Sequence, residues 1–186
     1  MKNINSLFLG GKIKNWSPFL QKEAQGFLKS HIYFYPNKVI KKLNNFLNLL
    51  FYSIIQREAR IWVIGDESFD CTFFDKYAST LKQINVFYIS DNNLPKGFLT
   101  NNSKFGMTQK LPQLVLFPSI GSGQLSLLKD LKKKGVICIG FSSEFIANLD
   151  FTIYSKTKPN GLFTIVSLFL LFVSLYKLNK NEKIEI

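Results

Sequence analysis

The sequence predicts a three-layer α/β domain on a five-stranded parallel sheet, and three observations support this. Five short apolar runs are bounded by turn residues or charges, segments with helical periodicity separate several of them, and the two kinds of segment alternate. The runs are continuous rather than alternating, which is typical of strands covered on both faces. Such an alternation favours parallel strands joined by right-handed crossovers.

The strands are predicted at residues 60–66, 85–90, 113–119, 135–141 and 150–155. Helices are predicted at 39–56, 69–81 and 124–134. The first helix has apolar side chains at helical spacing along one face, and these are Val39, Leu43, Phe46, Leu47, Leu50 and Ile54.

The last apolar run, residues 162–176, has 15 residues and would span about 22 Å as a helix, short of the ~30 Å hydrocarbon core of a bilayer. Thr164, Ser167, Ser174 and Lys177 fall on one side of its helical wheel. We therefore expect a narrowly amphipathic helix lying across the sheet, with a membrane anchor as the alternative. The predicted organisation is a basic N-terminal extension at 1–36 packing on the domain, an α/β domain at 37–178 and a frayed tail at 179–186.

The charge is strongly basic and unevenly distributed. The 186 residues contain 24 Lys plus Arg against 12 Asp plus Glu, a net charge of +12, and residues 1–56 hold eight lysines and one acid, Glu23. Such an excess predicts a polyanionic partner, with nucleic acid favoured over an anionic membrane surface. Arg57 and Arg60 are the two arginines, so phosphate contacts depend mainly on lysine ammonium groups.

One glycine-rich turn has features of a phosphate site. Gly121, Ser122 and Gly123 follow a predicted strand and precede a predicted helix, where backbone N–H groups can bind phosphate. The turn lacks the lysine of a P-loop and does not fit G-x-G-x-x-G. A tight turn capped by Ser122 is the alternative interpretation.

The remaining polar clusters predict little chemistry. Asp66 and Glu67 follow a strand, with Asp70 and Asp75 nearby. Acids at the start of a helix explain this cluster better than a catalytic or divalent-metal site does. His31, the single histidine, is expected to be a packing or hydrogen-bonding residue. Neither cysteine has a His or another Cys nearby in sequence, which is not a metal-binding pattern. No Ser, His or Cys nucleophile constellation is visible either, so we expect no enzyme activity, no metal and no cofactor. The lysine run 132–134 fits a solvated helix end or an RNA-backbone contact equally well.

Seven segments resemble, in order, the family of small-subunit ribosomal protein S-two, as found in bacteria, mitochondria and plastids. "GGKIKNWSPFL" at 10–20 is similar to G-H-x-x-x-x-W-N-P-x-M, and "KGFLTNN" at 96–102 is similar to G-G-x-L-T-N. The others are "SHIYFYPNKVIKKLNNFL" at 30–47, "RIWVIGDE" at 60–67, "LPQLVLFPS" at 111–119, "KKKGVICIGFSS" at 132–143 and "FTIYSKTKPNG" at 151–161.

The chain also departs from the family pattern. Asp66 and Glu67 replace the family's Thr-Lys, and 141–143 read Phe-Ser-Ser where the family has Asp-Thr-Asn. Few residues separate Asn102 from Leu111, where bacterial members insert a coiled-coil hairpin, so that hairpin is expected to be absent.

The resemblance implies a flavodoxin-like fold and a structural role in the small ribosomal subunit, near the junction of head and body, without catalysis. The implied partners are rRNA and neighbouring ribosomal proteins, with no membrane span and no small-molecule substrate. The A/T-rich codon families of Lys, Asn, Ile and Phe suggest a mitochondrial ribosome, with a plastid or a bacterial cytoplasm as alternatives. The residues expected to contact RNA are Lys12, Lys14, Trp16, Lys38, Lys41, Lys42, Lys96, Asn101, Asn102 and Lys104.

Two other functions remain open on the sequence alone. One is a phosphosugar-binding α/β enzyme or sensor that uses the loop at Gly121 and Gly123. The other is a basic protein anchored in a membrane by residues 162–176.

Overall fold

The computed structural model describes residues 5–65, 71–90, 94, 111–121, 123–155 and 161–182. The strands in these residues are β1 (Leu9–Lys12), β2 (Ala24–Leu28), β3 (His31–Phe34), β4 (Ile61–Gly65), β5 (Val86–Ser90), β6 (Leu114–Phe117), β7 (Ile137–Ser142) and β8 (Phe151–Tyr154). The α-helices are α1 (Pro36–Ile55), α2 (Thr72–Lys76), α3 (Ala78–Gln83), α4 (Gln124–Lys133) and α5 (Gly161–Glu182). Short 3-10 helices cover Asn5–Phe8, Ile13–Asn15 and Pro18–Leu20.

The main sheet confirms the predicted fold class. Its five strands are all parallel, in the order β5-β4-β6-β7-β8. The first strand of this sheet along the chain, β4, pairs with β5 on one side and β6 on the other, so the strand order reverses there. Helices flank the sheet, as in a flavodoxin-like three-layer α/β/α fold.

Each predicted strand overlaps an observed one, four of the five predictions enclose the observed strand, and β7 extends one residue past its predicted end to Ser142. Burial explains the continuous apolar runs. Every residue of β4 and β6 is buried, because helices or loops cover both faces of the sheet. On one side of the sheet, Leu128 and Leu131 of α4 form a core with the strand residues Trp62, Val115 and Cys138.

The opposite layer contains α1, α2, α3 and α5. Phe141 of β7 lies beneath both long helices, with its ring 6.0 Å from that of Phe46 on α1 and 5.2 Å from that of Phe163 on α5. The apolar face predicted for α1 is confirmed, since Val39, Leu43, Phe46, Leu50 and Ile54 are buried.

The helix predicted at 69–81 differs from what the structure shows. Residues 69 and 70 lie outside the described part of the chain, and the rest forms α2 and α3, separated at Tyr77. The backbone at Tyr77 has a ψ of 18°, outside the helical range.

The N-terminal segment forms a second sheet that the sequence did not predict. It is antiparallel, in the order β1-β3-β2. Its buried side chains Phe8, Ile32 and Phe34 belong to the same core as α1 and α5. The amide of Gly11 donates to the Ser143 carbonyl oxygen at 3.1 Å, which joins β1 to the carboxyl end of β7.

The final helix lies on the sheet as expected, but its polar side is not where the sequence predicted it. Ser167 and Ser174 are buried, and their hydroxyls donate to the carbonyl oxygens of Phe163 (3.2 Å) and Leu171 (2.7 Å). A serine satisfied within its own helix can face the core. The helix also continues through residues 179–182 of the predicted tail.

Candidate nucleic-acid interface

A surface of lysines and aromatic rings lies on the N-terminal sheet. We define the N-terminal surface as Lys12, Lys14, Trp16, Phe27 and Lys29, all of which are exposed. The indole of Trp16 contacts the ring of Phe27 edge to face, with centroids 5.2 Å apart. This surface includes three residues predicted to contact RNA: Lys12, Lys14 and Trp16.

Local hydrogen bonds position this surface. The Ile13 amide donates to the Ser30 carbonyl oxygen at 3.0 Å, so the end of β1 lies beside the β2–β3 turn that carries Lys29. The Trp16 amide closes a 3-10 turn onto the Ile13 carbonyl oxygen at 2.9 Å. The Asn15 side chain donates to Glu144 after β7, which fixes the turn against the main sheet.

Phe19, three positions after Trp16, belongs to a second exposed aromatic pair that the sequence did not predict. The rings of Phe19 and Phe145 are stacked, with centroids 4.5 Å apart and planes 17° from parallel. The Phe19 side chain is 69% exposed. Residues 126 positions apart form this pair, so only tertiary structure could reveal it.

The three lysines predicted on α1 differ in their surroundings. Lys38 donates to the Lys22 carbonyl oxygen, and its ammonium lies 4.7 Å from the centroid of the Tyr35 ring. Lys42 pairs with Glu23 at 2.9 Å. These two lysines hold α1 against the N-terminal sheet, and a phosphate would compete with those contacts. Lys41 is exposed.

Four predicted RNA contacts lie outside the described residues, and these are Lys96, Asn101, Asn102 and Lys104. Asp66, Glu67 and Asp70 lie outside them as well. Asp75 accepts a hydrogen bond from the Cys71 thiol at 3.2 Å. Within the described ranges there is no group of three His, Cys, Asp or Glu side chains that could hold a metal.

One backbone N–H group of the glycine-rich turn before α4 is already hydrogen-bonded within the chain. The Gly121 amide donates to Gln124 Oε1 at 3.3 Å, and Gly123 is the residue that caps the helix. Ser122, the predicted cap, is outside the described residues. Gln124 Nε2 and Ser119 Oγ, near the carboxyl end of β6, are buried and have no hydrogen-bond partner among the residues that the structure describes.

The lysine run at the end of α4 is partly paired. Lys132 forms an ion pair with Asp150, and Lys133 lies 3.8 Å from Asp130. Lys134 is the exposed C-terminal cap of the helix. The first two positions are therefore engaged within the chain.

Two buried groups have raised pKa values. Desolvation by burial raises the pKa of Cys138 to about 11, although the nearby charge of Lys132 acts in the opposite direction. Burial, followed by the negative charge of Glu23, raises the pKa of Tyr154. Both groups are neutral at physiological pH, and a neutral buried thiol is a packing residue rather than a nucleophile.

A small cavity of about 200 Å³ lies among α2, α3 and β5, lined mainly by Phe74, Leu81, Val86 and Tyr88. It is smaller than typical ligand pockets. Asp75 of the acidic cluster lines it, but none of the described residues predicted to contact RNA does. In the described part of the chain one helix, Gly161–Asn179, is long and apolar enough to cross a membrane, with a mean hydropathy of 2.0, and 39% of it is buried in the protein.

At the N-terminal surface the geometry therefore combines exposed rings with lysines for which no ion pair is found among the described residues of the chain. Aromatic faces bind unstacked bases and ammonium groups bind phosphates, so this surface has both components of a single-strand binding site. No model of a known protein family matches the chain, and no curated protein matches its sequence.

Proposed function

We propose that the protein is a structural constituent of the small ribosomal subunit, near the junction of head and body, where it binds rRNA and neighbouring ribosomal proteins and catalyses no reaction. The observation that carries the proposal is the N-terminal surface, where Trp16 and Phe27 are exposed with their rings in contact and Lys12, Lys14 and Lys29 are exposed on the same segment of the chain. The proposed compartment is the mitochondrial matrix, with a plastid or a bacterial cytoplasm as alternatives.

The proposed mechanism is charge neutralisation combined with base stacking. Lys12 and Lys14 neutralise phosphates of neighbouring rRNA segments and release condensed counterions. The exposed face of Trp16 offers a platform for an unpaired base. Structured RNA is bound through its backbone and shape, so lysines without a bidentate geometry suffice.

The fold and the composition support the same proposal. The resemblance implies a five-stranded parallel sheet in a flavodoxin-like domain, and the chain has that sheet. A net charge of +12 favours a polyanionic partner. Two of the segments that resemble the family, 10–20 and 132–143, are in contact: the Gly11 amide of the first donates a hydrogen bond to the Ser143 carbonyl oxygen of the second.

The test is a comparison of two charge-reversal pairs. Lys12→Glu with Lys14→Glu alters the N-terminal surface, and Lys76→Glu with Lys82→Glu alters exposed lysines at the β5 side of the sheet. Filter binding to small-subunit rRNA is measured from 50 to 300 mM KCl. The first pair should weaken binding and lower the salt slope by about two, since each lysine contributes roughly one phosphate contact.

The second pair of substitutions should leave the salt slope within about 0.5 of the original value, because its lysines are not in the proposed interface. Equal effects of the two pairs would mean that binding is governed by net charge alone. That outcome would refute the assignment of the interface to the N-terminal surface.

A second candidate function is binding of a phosphorylated small molecule, and the unpartnered Ser119 Oγ and Gln124 Nε2 favour it. Both groups lie at the carboxyl end of β6, beside the point where the strand order reverses, which is where open α/β sheets bind ligands. Sugar phosphates would then raise the Tm of the purified protein, and Gln124→Leu would abolish that rise. Unchanged melting with millimolar sugar phosphate would eliminate this candidate.

A further inference from the structure

The stacked pair of Phe19 and Phe145 joins the N-terminal segment to the residues that follow β7. Its ring centroids are 4.5 Å apart, its planes are 17° from parallel, and Phe19 is 69% exposed. Because the Phe145 ring covers one face of Phe19, the exposed area of Phe19 includes much of its other face. A parallel pair with an open outer face can accept a third planar ring in the same stack.

This pair lies next to the N-terminal surface. The Asn15 side chain donates to Glu144, and Phe19 stacks on the following residue, Phe145. The two segments therefore lie side by side, and Trp16 comes between the two contacts in sequence. Trp16 and Phe19 are three positions apart, so at most about 10 Å of backbone joins the two exposed rings. A strand of a few nucleotides is long enough to reach both.

Lys22 places a positive charge on the same side of the chain as Phe19. Phe19 belongs to the 3-10 helix Pro18–Leu20, and the turn continues, because the Glu23 amide donates to the Leu20 carbonyl oxygen at 2.9 Å. Side chains three positions apart in a 3-10 turn lie on one side, and Lys22 is three positions after Phe19 and exposed. No ion pair of Lys22 is found in the described part of the chain.

The charges of this region indicate the class of ligand. In residues 5–35 the one acid is Glu23, and the lysines, all exposed, are Lys12, Lys14, Lys22 and Lys29. Both acids near the rings are engaged within the chain, Glu23 by Lys42 and Glu144 by Asn15. The uncompensated positive charge favours a polyanion. Anionic membranes bind helices with a broad apolar face, whereas the exposed rings here lie on 3-10 turns and a short strand.

We propose that Phe19, Phe145 and Lys22 form a second nucleotide-binding position beside Trp16, so that this part of the protein binds single-stranded RNA with one unpaired base on each ring. The inference rests on the proposed function, which includes rRNA binding, and specifies that the bound RNA segment is unpaired. The Phe19 ring stacks on a base, and the Lys22 ammonium binds a neighbouring phosphate. Every base has a π-face, so the site should show little sequence preference.

The experiment measures binding of the full chain to a fluorescein-labelled RNA of about 12 nucleotides and mixed sequence, both as a single strand and as a duplex. Charge alone favours the duplex, which has twice as many phosphates per unit length. Fluorescence anisotropy should instead give at least about fivefold tighter binding of the single strand. Phe19→Ala should weaken single-strand binding by about tenfold and change duplex binding by less than about twofold.

Further variants separate base stacking from apolar burial. Phe19→Trp keeps a planar ring and should bind the single strand like the original chain. Phe19→Leu keeps apolar area without a π-face and should bind as weakly as Phe19→Ala. Lys22→Gln should lower the salt slope for the single strand by about one. Phe172→Ala is the matched control and should leave the affinity unchanged, since Phe172 is 61% exposed but lies on α5.

The inference is overturned if Phe19→Leu binds the single strand like the original chain, or if the duplex binds as tightly as the single strand. It is also overturned if Phe19→Ala impairs only self-association or binding to phosphatidylglycerol vesicles. Intact rRNA binding in any of these cases would leave the proposed function standing. Phe19-dependent binding of the single strand by a chain that does not bind small-subunit rRNA would support this inference and refute the proposed function alone.

Discussion

Replacing Gly10 with alanine tests how the N-terminal sheet is seated on the main domain. A Cβ at this position would lie 2.8 Å from Phe34 Cζ, closer still to Phe34 Cε2, and 3.3 Å from the Ser143 carbonyl oxygen. Phe34 is fully buried and its ring is stacked on Tyr154, with centroids 5.1 Å apart. The ring has no free space to move into, so either the sheet or the ring must shift.

Such overpacking costs about 2 kcal/mol of unfolding free energy. For a chain of this length, that loss lowers the Tm by roughly 4–8 °C. Urea unfolding followed by circular dichroism should show a lower midpoint with an unchanged m-value. Gly26→Ala is the control, because a Cβ at Gly26 meets nothing within 4 Å. If Gly10→Ala were as stable as Gly26→Ala, the close packing of β1 against Phe34 would be refuted.

Two further predictions concern the core. Cys138 has an ordinary pKa of 9.0 that burial raises to about 11, so the unfolded chain loses its thiol proton first as the pH rises. Through Cys138 the unfolding free energy should fall by about 2 kcal/mol between pH 9 and 11. Cys138→Ala should remove this contribution in urea titrations and leave that of Tyr154, whose pKa burial also raises; an unchanged slope would contradict the burial of the thiol. Phe141→Ala should lower the unfolding free energy by about 4 kcal/mol, because it leaves a cavity beneath α1 and α5. Phe145 is partly exposed, so Phe145→Ala should lower it by about 1 kcal/mol or less. If thermal melts showed similar losses of stability for the two variants, the assigned core would be contradicted.

Much of the main domain could be predicted from the sequence because its signals are local. The continuous apolar runs gave all five parallel strands, and the spacing of Val39, Leu43 and Phe46 gave the buried face of α1. These patterns reflect burial on both sides of a sheet and on one side of a helix. The N-terminal sheet was missed because its strands are short, and β1 contains the consecutive glycines Gly10 and Gly11.

The candidate site was only partly predictable for a related reason. Lys12, Lys14 and Trp16 are close in sequence, so their common surface follows from one local segment. The pairing of Lys42 with Glu23 and the stacking of Phe19 on Phe145 depend on tertiary contacts. The direction of Ser167 and Ser174 was misjudged because composition does not reveal that a hydroxyl can be satisfied by its own helix.

The most direct test of the proposed function is co-sedimentation of the tagged full chain with the small ribosomal subunit. We expect the chain to comigrate with small-subunit particles through a sucrose gradient, at high salt as well as at low salt. A chain that remains at the top of the gradient as a stable monomer, even at low ionic strength, would contradict it.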